Sequence, residues 1–455
     1  MKKSFLSALL LSTMICTSAS AKDLIDVLST TYQTNPTLRA QRAYLRAVDE
    51  NVAIAKSGYR PNLYLQGGVT EQNYHSNAPS ADQRSSNFAG SANLSQSLFS
   101  GFQTMNSVKS ADSLVRSEQS NLANVEQEIL LTAATAYLDV FRDTAIVELQ
   151  KNNEKLLKKR LDETIERFNV GEVTRTDVAQ SRARHSQAQS DRISAEGNLE
   201  VSKAFYERVV GEKVPATLTE PDVVKPFLPK DFEEAMKVMS YNNHNIKQAK
   251  DYLNSKTYDV AVNTGALLPS VSAEAVASRG RNNIDNWNAK YTDNENLEAS
   301  LNLKVPLYNS GSDRAKIRQS KYQKWQAHEQ VLVAERSAVE VLTSSWESMI
   351  SNEAKIKSIR DQVKANEIAL DGVQKEESLG NRTVLDVLDA YQELLNSNVE
   401  EVTARRNYYV SAMSLLLSMG QLTAEDLKLN VEYYNAKEHY KETRDKWFST
   451  DIDKE

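Results

Sequence analysis

The chain has 455 residues, a formal net charge of −6 at pH 7 and a single cysteine. Its acidic balance argues against nucleic-acid binding, because domains that bind nucleic acid are usually basic. Cys16 lies in an apolar N-terminal run, so the rest of the chain has no thiol for disulfides or for cysteine chemistry.

A secretory signal peptide is predicted at residues 1–21. Two lysines precede an apolar run over residues 5–15, and a small-residue segment ends at Ala21. That order is typical of a cleaved export signal. The run is shorter than the roughly 20 residues of a membrane-spanning helix, and no other stretch of the sequence is long and apolar enough. Any contact with a membrane must therefore be made by amphipathic strands.

The chain repeats one architecture, with the second copy displaced by 208 to 210 residues. A repeat of this length is a whole unit built twice, because solenoid and propeller units recur every 20 to 50 residues or so. The matched pairs include Asp23 with Asp231, Asn35 with Asn243, Pro61 with Pro269, Gly171 with Gly380, Thr174 with Thr383, Asp177 with Asp386 and Gly211 with Gly420. We place the first repeat at 22–211, a proline-rich connection at 212–230, the second repeat at 231–420 and a C-terminal segment at 421–455.

Long helices are predicted in both copies. The stretches 101–214 and 307–455 contain no proline, the residue that breaks helix interiors. In the first copy apolar residues step by threes and fours, close to the coiled-coil period. A helix from Gly101 to Val170 would be about 100 Å long at about 1.5 Å per residue. We therefore predict long helix hairpins at 101–211 and 309–420.

Residues 62–100 and 270–308 have the period-two pattern of β-hairpins. Leu297, Leu301 and Leu303, for example, alternate with polar residues, so one face of the strand is apolar and the other mostly polar. Polar loops are expected at about 73–86 and 280–296, which leaves strands of roughly ten residues. Taken alone, these segments fit a small soluble sheet equally well.

Four strands cannot close a barrel, since the smallest closed barrels have about eight. In lipid an unpaired strand edge is not viable. If these strands lie in a membrane, several chains must therefore share one barrel.

Two long helix hairpins, two strand hairpins, an internal repeat and an export signal together resemble the TolC family of outer-membrane channel-tunnels. The most specific local matches are Arg167-Phe168-Asn169-Val170-Gly171, followed by Thr176-Asp177-Val178, and the segment from Gly380 to Asp389. The resemblance implies an α+β membrane protein in which three chains form a twelve-stranded β-barrel. That barrel would be continuous with a twelve-helix α-barrel extending into the periplasm of a Gram-negative bacterium.

The resemblance also implies partners and a function. The homotrimer would sit in outer-membrane lipid and receive substrate from an inner-membrane transporter of the RND, ABC or MFS type through a periplasmic adaptor, or membrane fusion protein. It would export drugs and detergents, secreted protein, or both; the sequence does not decide between them. The alternative is an exported coiled-coil scaffold or adhesin without a pore, which explains the helices and the signal but not the strand hairpins.

Asp386 and Asp389 are the candidate residues for cation selectivity at the gate. Three apart on a helix, they occupy neighbouring positions on one face. The repeat mate of Asp389 is the uncharged Gln180, so only the second copy carries the double acid. The matching aspartates of the family ring the constriction, and six carboxylates there would attract cations. The alternative is two solvated acids on an exposed helix.

Arg382 resembles the arginine of the family that holds the closed tip by bonding to the neighbouring chain. Thr176 and Asp177 match its receiving positions. An arginine–carboxylate contact is directional and can be broken on opening, although an exposed arginine at a helix start could also contribute little. Glu377 stands where the family's best-studied members have a tyrosine of a second latch. Facing Asp177, it would repel that residue unless a cation or Arg175 intervened.

No catalytic site, cofactor or metal is expected. The five histidines are scattered without a pair at metal-ligand spacing, and the sequence has no phosphate-binding glycine loop. A dedicated metal-efflux duct would likewise lack a ligand cluster. The strongly charged chain from Leu427 onward is expected to be a mobile or loosely packed tail.

Overall fold

The computed structural model describes residues 23–75, 83–215, 217–220, 225–285 and 290–452. The predicted signal peptide lies outside these residues. In chain order the elements are α1 Leu24–Thr34, α2 Pro36–Lys56, β1 Asn62–Tyr74, β2 Gln83–Phe99, α3 Gln103–Asn169, α4 Arg175–Val210, α5 Phe232–Asn242, α6 His244–Gly265, β3 Ser270–Asp285, β4 Lys290–Lys304, α7 Ser312–Ser378, α8 Val384–Met419 and α9 Glu438–Thr443.

The two halves of the chain contain the same elements in the same order. Helices α3 and α7 each have 67 residues, and α4 and α8 each have 36. At about 1.5 Å per residue, α3 and α7 are each about 100 Å long. The helix predicted from Gly101 to Val170 is confirmed by α3, within two residues at its start and one at its end.

Residues that match between the repeats cap the helices. Asp23 begins α1 and Thr174 begins α4, each with a capping box. Asn35, between α1 and α2, donates from Nδ2 to the carbonyl oxygen of Val209 over 2.9 Å; its mate Asn243 donates to the carbonyl oxygen of Ser418, also over 2.9 Å. The same amide therefore ties each short helix pair to the end of a long helix hairpin.

The four strands form one antiparallel sheet in the order β1-β2-β3-β4. Its register aligns Leu65, Ala92, Ala277 and Leu297 in one row across the sheet. Residues directly opposite each other point to the same face, so the apolar positions form a continuous surface. The outer strands β1 and β4 each have a free edge within the chain.

The strands have 13 to 17 residues, so the predicted length and the predicted loop bounds were wrong. The ladder continues through polar residues to Tyr74 and Gln83 in one hairpin, and to Asp285 and Lys290 in the other. Backbone hydrogen bonds do not require apolar side chains, which is why the alternation ended before the strands did.

The loop end of this face is charged. Arg281 Nε lies 2.7 Å from Asp293 Oδ1, and Arg279 Nε lies 3.4 Å from Glu295 Oε1. These four residues lie on the same face of the sheet as the apolar row, because Arg281 lies opposite Phe88 in the ladder. The same face is thus apolar near the helices and ion-paired near the loops.

The main core lies where the short helices pack against α3, α4 and α8. Its largest fully buried side chains include Tyr137 and Leu416. The Tyr137 hydroxyl donates to the carbonyl oxygen of Thr219 over 2.6 Å, which satisfies its polar group. That bond fixes part of the connection between the repeats against α3.

The C-terminal segment packs on this core, so the expectation of a loose tail from Leu427 onward was wrong. Leu427 and Leu429 are buried. In α9, His439 Nδ1 lies 2.9 Å from Asp49 Oδ2, and the Tyr440 hydroxyl donates to Asp112 Oδ1 over 2.7 Å. The charged residues that suggested a solvated tail instead find partners on α2 and α3.

The Gly101→Ala substitution should destabilise the junction between β2 and α3. Gly101 has φ +61°, and an added Cβ would lie 2.3 Å from the carbonyl oxygen of Gly265. The left-handed backbone alone costs about 1–3 kcal/mol for another residue, and the overlap adds to it. Thermal unfolding followed by circular dichroism should show a lower midpoint. Gly197→Ala, in open space on α4, is the control and should not lower it.

Glu126 should make the protein less stable as pH rises. Its Oε1 accepts from the amide of Ala424 over 2.7 Å, and burial raises its pKa from 4.5 to about 7. A raised carboxyl pKa contributes stability below 4.5 that is lost as pH rises to about 7 and above. The loss should be about 1–3 kcal/mol.

Unfolding midpoints at several pH values between 4.5 and 8 test this prediction. The Glu126→Gln variant should lose most of the pH dependence in that window, whereas Glu128→Gln, at an exposed position on the same helix, should keep it. A Glu126→Gln profile as steep as that of the native protein would contradict the assignment.

Candidate gate at the tip of the helix hairpins

The two long hairpins turn in the same way at their far ends. Gly171 and Gly380 follow α3 and α7 with φ of 81° and 80°, the left-handed conformation that glycine adopts at helix ends. Thr174 and Thr383 then cap α4 and α8. We call these two turns, with the adjoining helix ends, the tip.

Asp386 is held by the threonine that caps its own helix. Its Oδ2 accepts from the Thr383 amide and from the Thr383 hydroxyl, each over 2.8 Å. These hydrogen bonds lower the pKa of Asp386, because they favour the ionised form. Asp177 accepts the same two bonds from Thr174, over 2.8 and 2.7 Å. Both aspartates therefore have a capping role, which the T-x-x-D spacing could have indicated.

Asp389 contacts the other hairpin of the same chain. Its Oδ1 lies 2.6 Å from Arg184 Nη2 on α4. The Asp389 side chain is still 54% exposed, so the carboxylate is paired and also open to solvent. Arg184 could not be identified from the sequence, because helical spacing does not relate residues 205 positions apart.

Arg382 pairs locally. Its Nε donates to Glu376 Oε2 over 2.9 Å, and both side chains are about half exposed. Within the described part of this chain, Arg382 therefore bonds Glu376 and not Thr176 or Asp177. The resemblance places the arginine contact between neighbouring chains, which a single chain does not test.

Glu377 lies against two arginines of α3. Its side chain is 6% exposed, it accepts a hydrogen bond from Arg167 Nη1, and Arg160 Nη2 lies 3.8 Å away. The bond to Glu377 raises the pKa of Arg167. The resemblance implies that Glu377 faces Asp177, with Arg175 as a possible mediator; within this chain Arg167 and Arg160 lie against its carboxylate instead.

A small apolar cluster backs these ion pairs. Leu157 of α3, Ala188 of α4 and Val384 and Leu388 of α8 are all buried together. The two hairpins are therefore joined near the tip by packing as well as by Arg167–Glu377 and Arg184–Asp389. Any relative movement of the hairpins at the tip must break these contacts.

The sequence matches one family twice. A profile described as outer membrane efflux protein covers residues 27–211 and again residues 238–421. The chain belongs to the outer membrane efflux protein family. Each match falls in one half of the chain, which agrees with the internal repeat.

Named relatives of this chain are also outer membrane and secretion proteins. It is 34% identical to the outer membrane efflux protein BepC of Brucella suis over 97% of this chain and 95% of that protein. It is 26% identical to the outer membrane protein TolC of Escherichia coli, over 90% and 84% of the two chains. Two further relatives are named as protease secretion proteins. The resemblance to the TolC family is thereby confirmed.

A solved structure confirms the fold. The outer membrane channel CmeC of Campylobacter jejuni superposes with a TM-score of 0.78 at 15% identity, covering 93% of this chain and 89% of that one. The efflux protein therefore has the channel fold expected from its helix and strand hairpins. It belongs in the outer membrane of a Gram-negative bacterium and extends into the periplasm.

The family consists of outer membrane efflux and secretion channels and is not a class of enzymes. Among the described residues, no helix is long and apolar enough to cross a membrane. The same residues contain no group of three or more histidine, cysteine, aspartate or glutamate side chains placed to hold a metal ion.

Proposed function

We propose that three copies of this efflux protein form one twelve-stranded β-barrel in the outer membrane. The observation that supports this is the four-stranded sheet, whose strands β1 and β4 each leave an edge free within the chain. Because an unpaired edge is not viable in lipid, β1 of one chain would pair with β4 of the next. Three sheets joined in this way make a barrel large enough to enclose a channel.

The long helices would continue this channel as a twelve-helix α-barrel in the periplasm. Each chain provides four helices for it in two hairpins, in which a helix about 100 Å long (α3 or α7) pairs with one about 54 Å long (α4 or α8). A periplasmic adaptor would join the tip to an inner-membrane transporter. The channel would then pass small molecules such as drugs and detergents, secreted protein, or both, with energy supplied by the transporter.

Disulfide crosslinking across the free edges tests the shared barrel. The chain beyond the signal has no native cysteine, so single cysteines on β1, such as Leu65→Cys, can be combined with a series along β4 from residue 295 to 301. We expect oxidation to join chains into covalent trimers at one register and to leave ion conductance in planar bilayers intact. A protein that stays monomeric and non-conducting would contradict the proposal and favour a scaffold or adhesin.

We also propose that the tip is a closed gate. Arg382 would bind Thr176 and Asp177 of the neighbouring chain, while Asp386 and Asp389 line the constriction. Within each chain, Arg167–Glu377 would take the place of the second latch. The low exposure of Glu377 and its two arginine neighbours support this last contact, and the resemblance to the family supports the roles of Arg382, Asp386 and Asp389.

The Arg382→Ser variant should raise the closed-state conductance. Removing the guanidinium breaks the contact proposed to cross between chains, and three copies are lost at once in the trimer. Single-channel recording in planar bilayers measures the effect. Glu376→Ser is the matched control, since Glu376 is the partner of Arg382 within the chain. If both variants raise the conductance equally, Arg382 acts only through its local pair. If neither differs from the native protein, Arg382 is not a latch.

A further inference from the structure

Two exposed aromatic residues, Trp447 and Phe448, lie in the C-terminal segment close to the helix-side end of the sheet. Trp447 and Phe448 follow α9, and their ring centroids are 6.0 Å apart. Trp447 is 58% exposed and Phe448 is 92% exposed. Large apolar side chains in such a position indicate a surface that another molecule covers.

Contacts to residues just before β1, the first strand of the first β-hairpin, fix the position of this aromatic pair. Arg60 Nη1 donates to the carbonyl oxygen of Lys446 over 2.8 Å, and the Arg60 guanidinium lies 4.6 Å from the Trp447 ring centroid. One residue earlier, Asp445 accepts from Lys56 Nζ over 2.6 Å. Since β1 begins at Asn62, Trp447 lies at the edge of the sheet that adjoins the helices.

The segment that leads to the pair is also anchored. His439 and Tyr440 of α9 bond Asp49 of α2 and Asp112 of α3. Burial and the bond to Asp112 raise the pKa of Tyr440 to about 12, so its hydroxyl remains a donor at neutral pH. The segment from Glu438 to Phe448, which we call the C-terminal strap, therefore holds the aromatic pair in a fixed position.

The sheet shows which surface this strap adjoins. From Leu63 to Val69 the apolar face of β1 spans six residue steps, about 20 Å along the strand, which at a tilt of about 40° covers about 15 Å of the roughly 25 Å apolar band of outer-membrane barrels. Beyond it the face becomes ion-paired at Arg281 and Asp293. The helix-side edge of the sheet is consequently the inner boundary of the apolar band, and Trp447 lies there.

Other strand ends carry similar residues at the same level. Tyr59 precedes β1, Phe102 follows β2 and Tyr308 follows β4, and all three are more than half exposed. Aromatic side chains concentrate at the two interfaces of a membrane, where the ring is buried and the polar edge meets headgroups. Trp447 and Phe448 extend this row from a different part of the chain.

We propose that Trp447 and Phe448 insert into the periplasm-facing leaflet of the outer membrane, at the level of the phospholipid headgroups. The C-terminal strap thereby fastens α2 and α3 to the membrane at the point where sheet and helices meet. This inference rests on the proposed barrel, because the sheet must lie in the membrane for its edge to meet lipid. The occupant is phospholipid, since Arg60 and Lys56 hold the pair next to the start of β1, at the helix-side boundary of the apolar face of the sheet.

Tryptophan quenching by brominated phospholipids tests the inference. The chain has four tryptophans, and Trp287→Phe, Trp325→Phe and Trp346→Phe together leave Trp447 as the only one. The control variant keeps Trp325 alone, which is 61% exposed on α7 and about 20 Å along that helix from the sheet at about 1.5 Å per residue. Both variants are reconstituted in phosphatidylethanolamine and phosphatidylglycerol, with and without bromine near the top of the acyl chains.

We expect brominated lipid to remove most of the Trp447 emission and to leave the Trp325 emission unchanged. Ion conductance is measured in the same preparation, so failure of the barrel is recognised separately. If conductance is present but Trp447 is quenched only by aqueous iodide, the pair lies in water and the inference is wrong. If neither lipid nor iodide quenches it, a neighbouring subunit covers the pair and the inference is equally wrong.

Discussion

Replacing Glu377 with alanine will raise the conductance of the closed channel. Glu377 is 6% exposed and accepts from Arg167, with Arg160 close by, so the substitution leaves two arginines of α3 without their shared carboxylate. Hydrogen bonds to charged groups contribute about 1.5–3 kcal/mol. Even about 1 kcal/mol per chain shifts a two-state equilibrium about fivefold, here toward states in which α7 has moved away from α3.

The double variant Arg167→Ala with Glu377→Ala separates this pair from other effects. If the two residues act through one contact, removing both should raise conductance little more than removing one, because coupled residues are not additive. Arg192→Ala is the matched control. Arg192 also has two carboxylate partners, Glu154 and Glu196, but all three lie in the α3–α4 hairpin.

A Glu377→Ala channel that conducts like the native protein would show that the pair does not hold the tip closed. An Arg192→Ala channel that opens equally would show that any weakening of a long hairpin is sufficient. Circular dichroism at the recording temperature should find full helix content in every variant, so that a change in conductance reports the tip and not unfolding.

The sequence predicted the helices well because their ends are determined locally. Thr174 and Thr383 cap α4 and α8 through residues three positions away, and Gly211 and Gly420 end the same helices in the left-handed conformation. Cap residues have few substitutes. They are accordingly among the positions that still match between the repeats.

The contacts of the tip could not be predicted in the same way. Arg167 and Glu377 are 210 residues apart, and each position alone looks like a charged residue near the end of a helix. The resemblance implies roles for Arg382 and Asp177. For Glu377 it implies only Asp177 as a neighbour, because the family's best-studied members have a tyrosine at that position. Only the fold, which brings the far end of α7 beside that of α3, shows that this glutamate has arginine partners.

The C-terminal segment was misjudged for a related reason. Its charge suggested solvent exposure, yet Tyr440 and His439 bond carboxylates of α2 and α3. The composition of a segment shows how polar it is. It does not show whether other parts of the fold provide hydrogen-bond or ion-pair partners for its side chains. The strand ends were misjudged similarly, because Arg281 and Asp293 are polar in sequence but pair across the ladder.

Replacing Asp386 and Asp389 together with asparagine will weaken the preference of the channel for cations. A unit charge about 4 Å from a passing cation contributes about 1 kcal/mol in bulk water and about 4 kcal/mol near a protein surface. Six such carboxylates in a trimer would therefore change cation entry at least severalfold. The bonds from Thr383 lower the pKa of Asp386, so its contribution should persist at neutral pH and disappear only as pH falls through that lowered value.

Reversal potentials across a potassium chloride gradient measure the cation selectivity of each channel. Two further variants test whether a change in selectivity is specific to Asp386 and Asp389. Asp371→Asn removes an exposed acid of α7 that pairs with Lys375 on the same helix and takes no part in the proposed gate, so it should leave selectivity nearly unchanged. Arg184→Gln frees Asp389 from its partner and should strengthen cation preference. Asparagine keeps an acceptor oxygen for the Thr383 amide, so the helix start is preserved. A double variant with the native reversal potential would show that neither carboxylate lines the constriction.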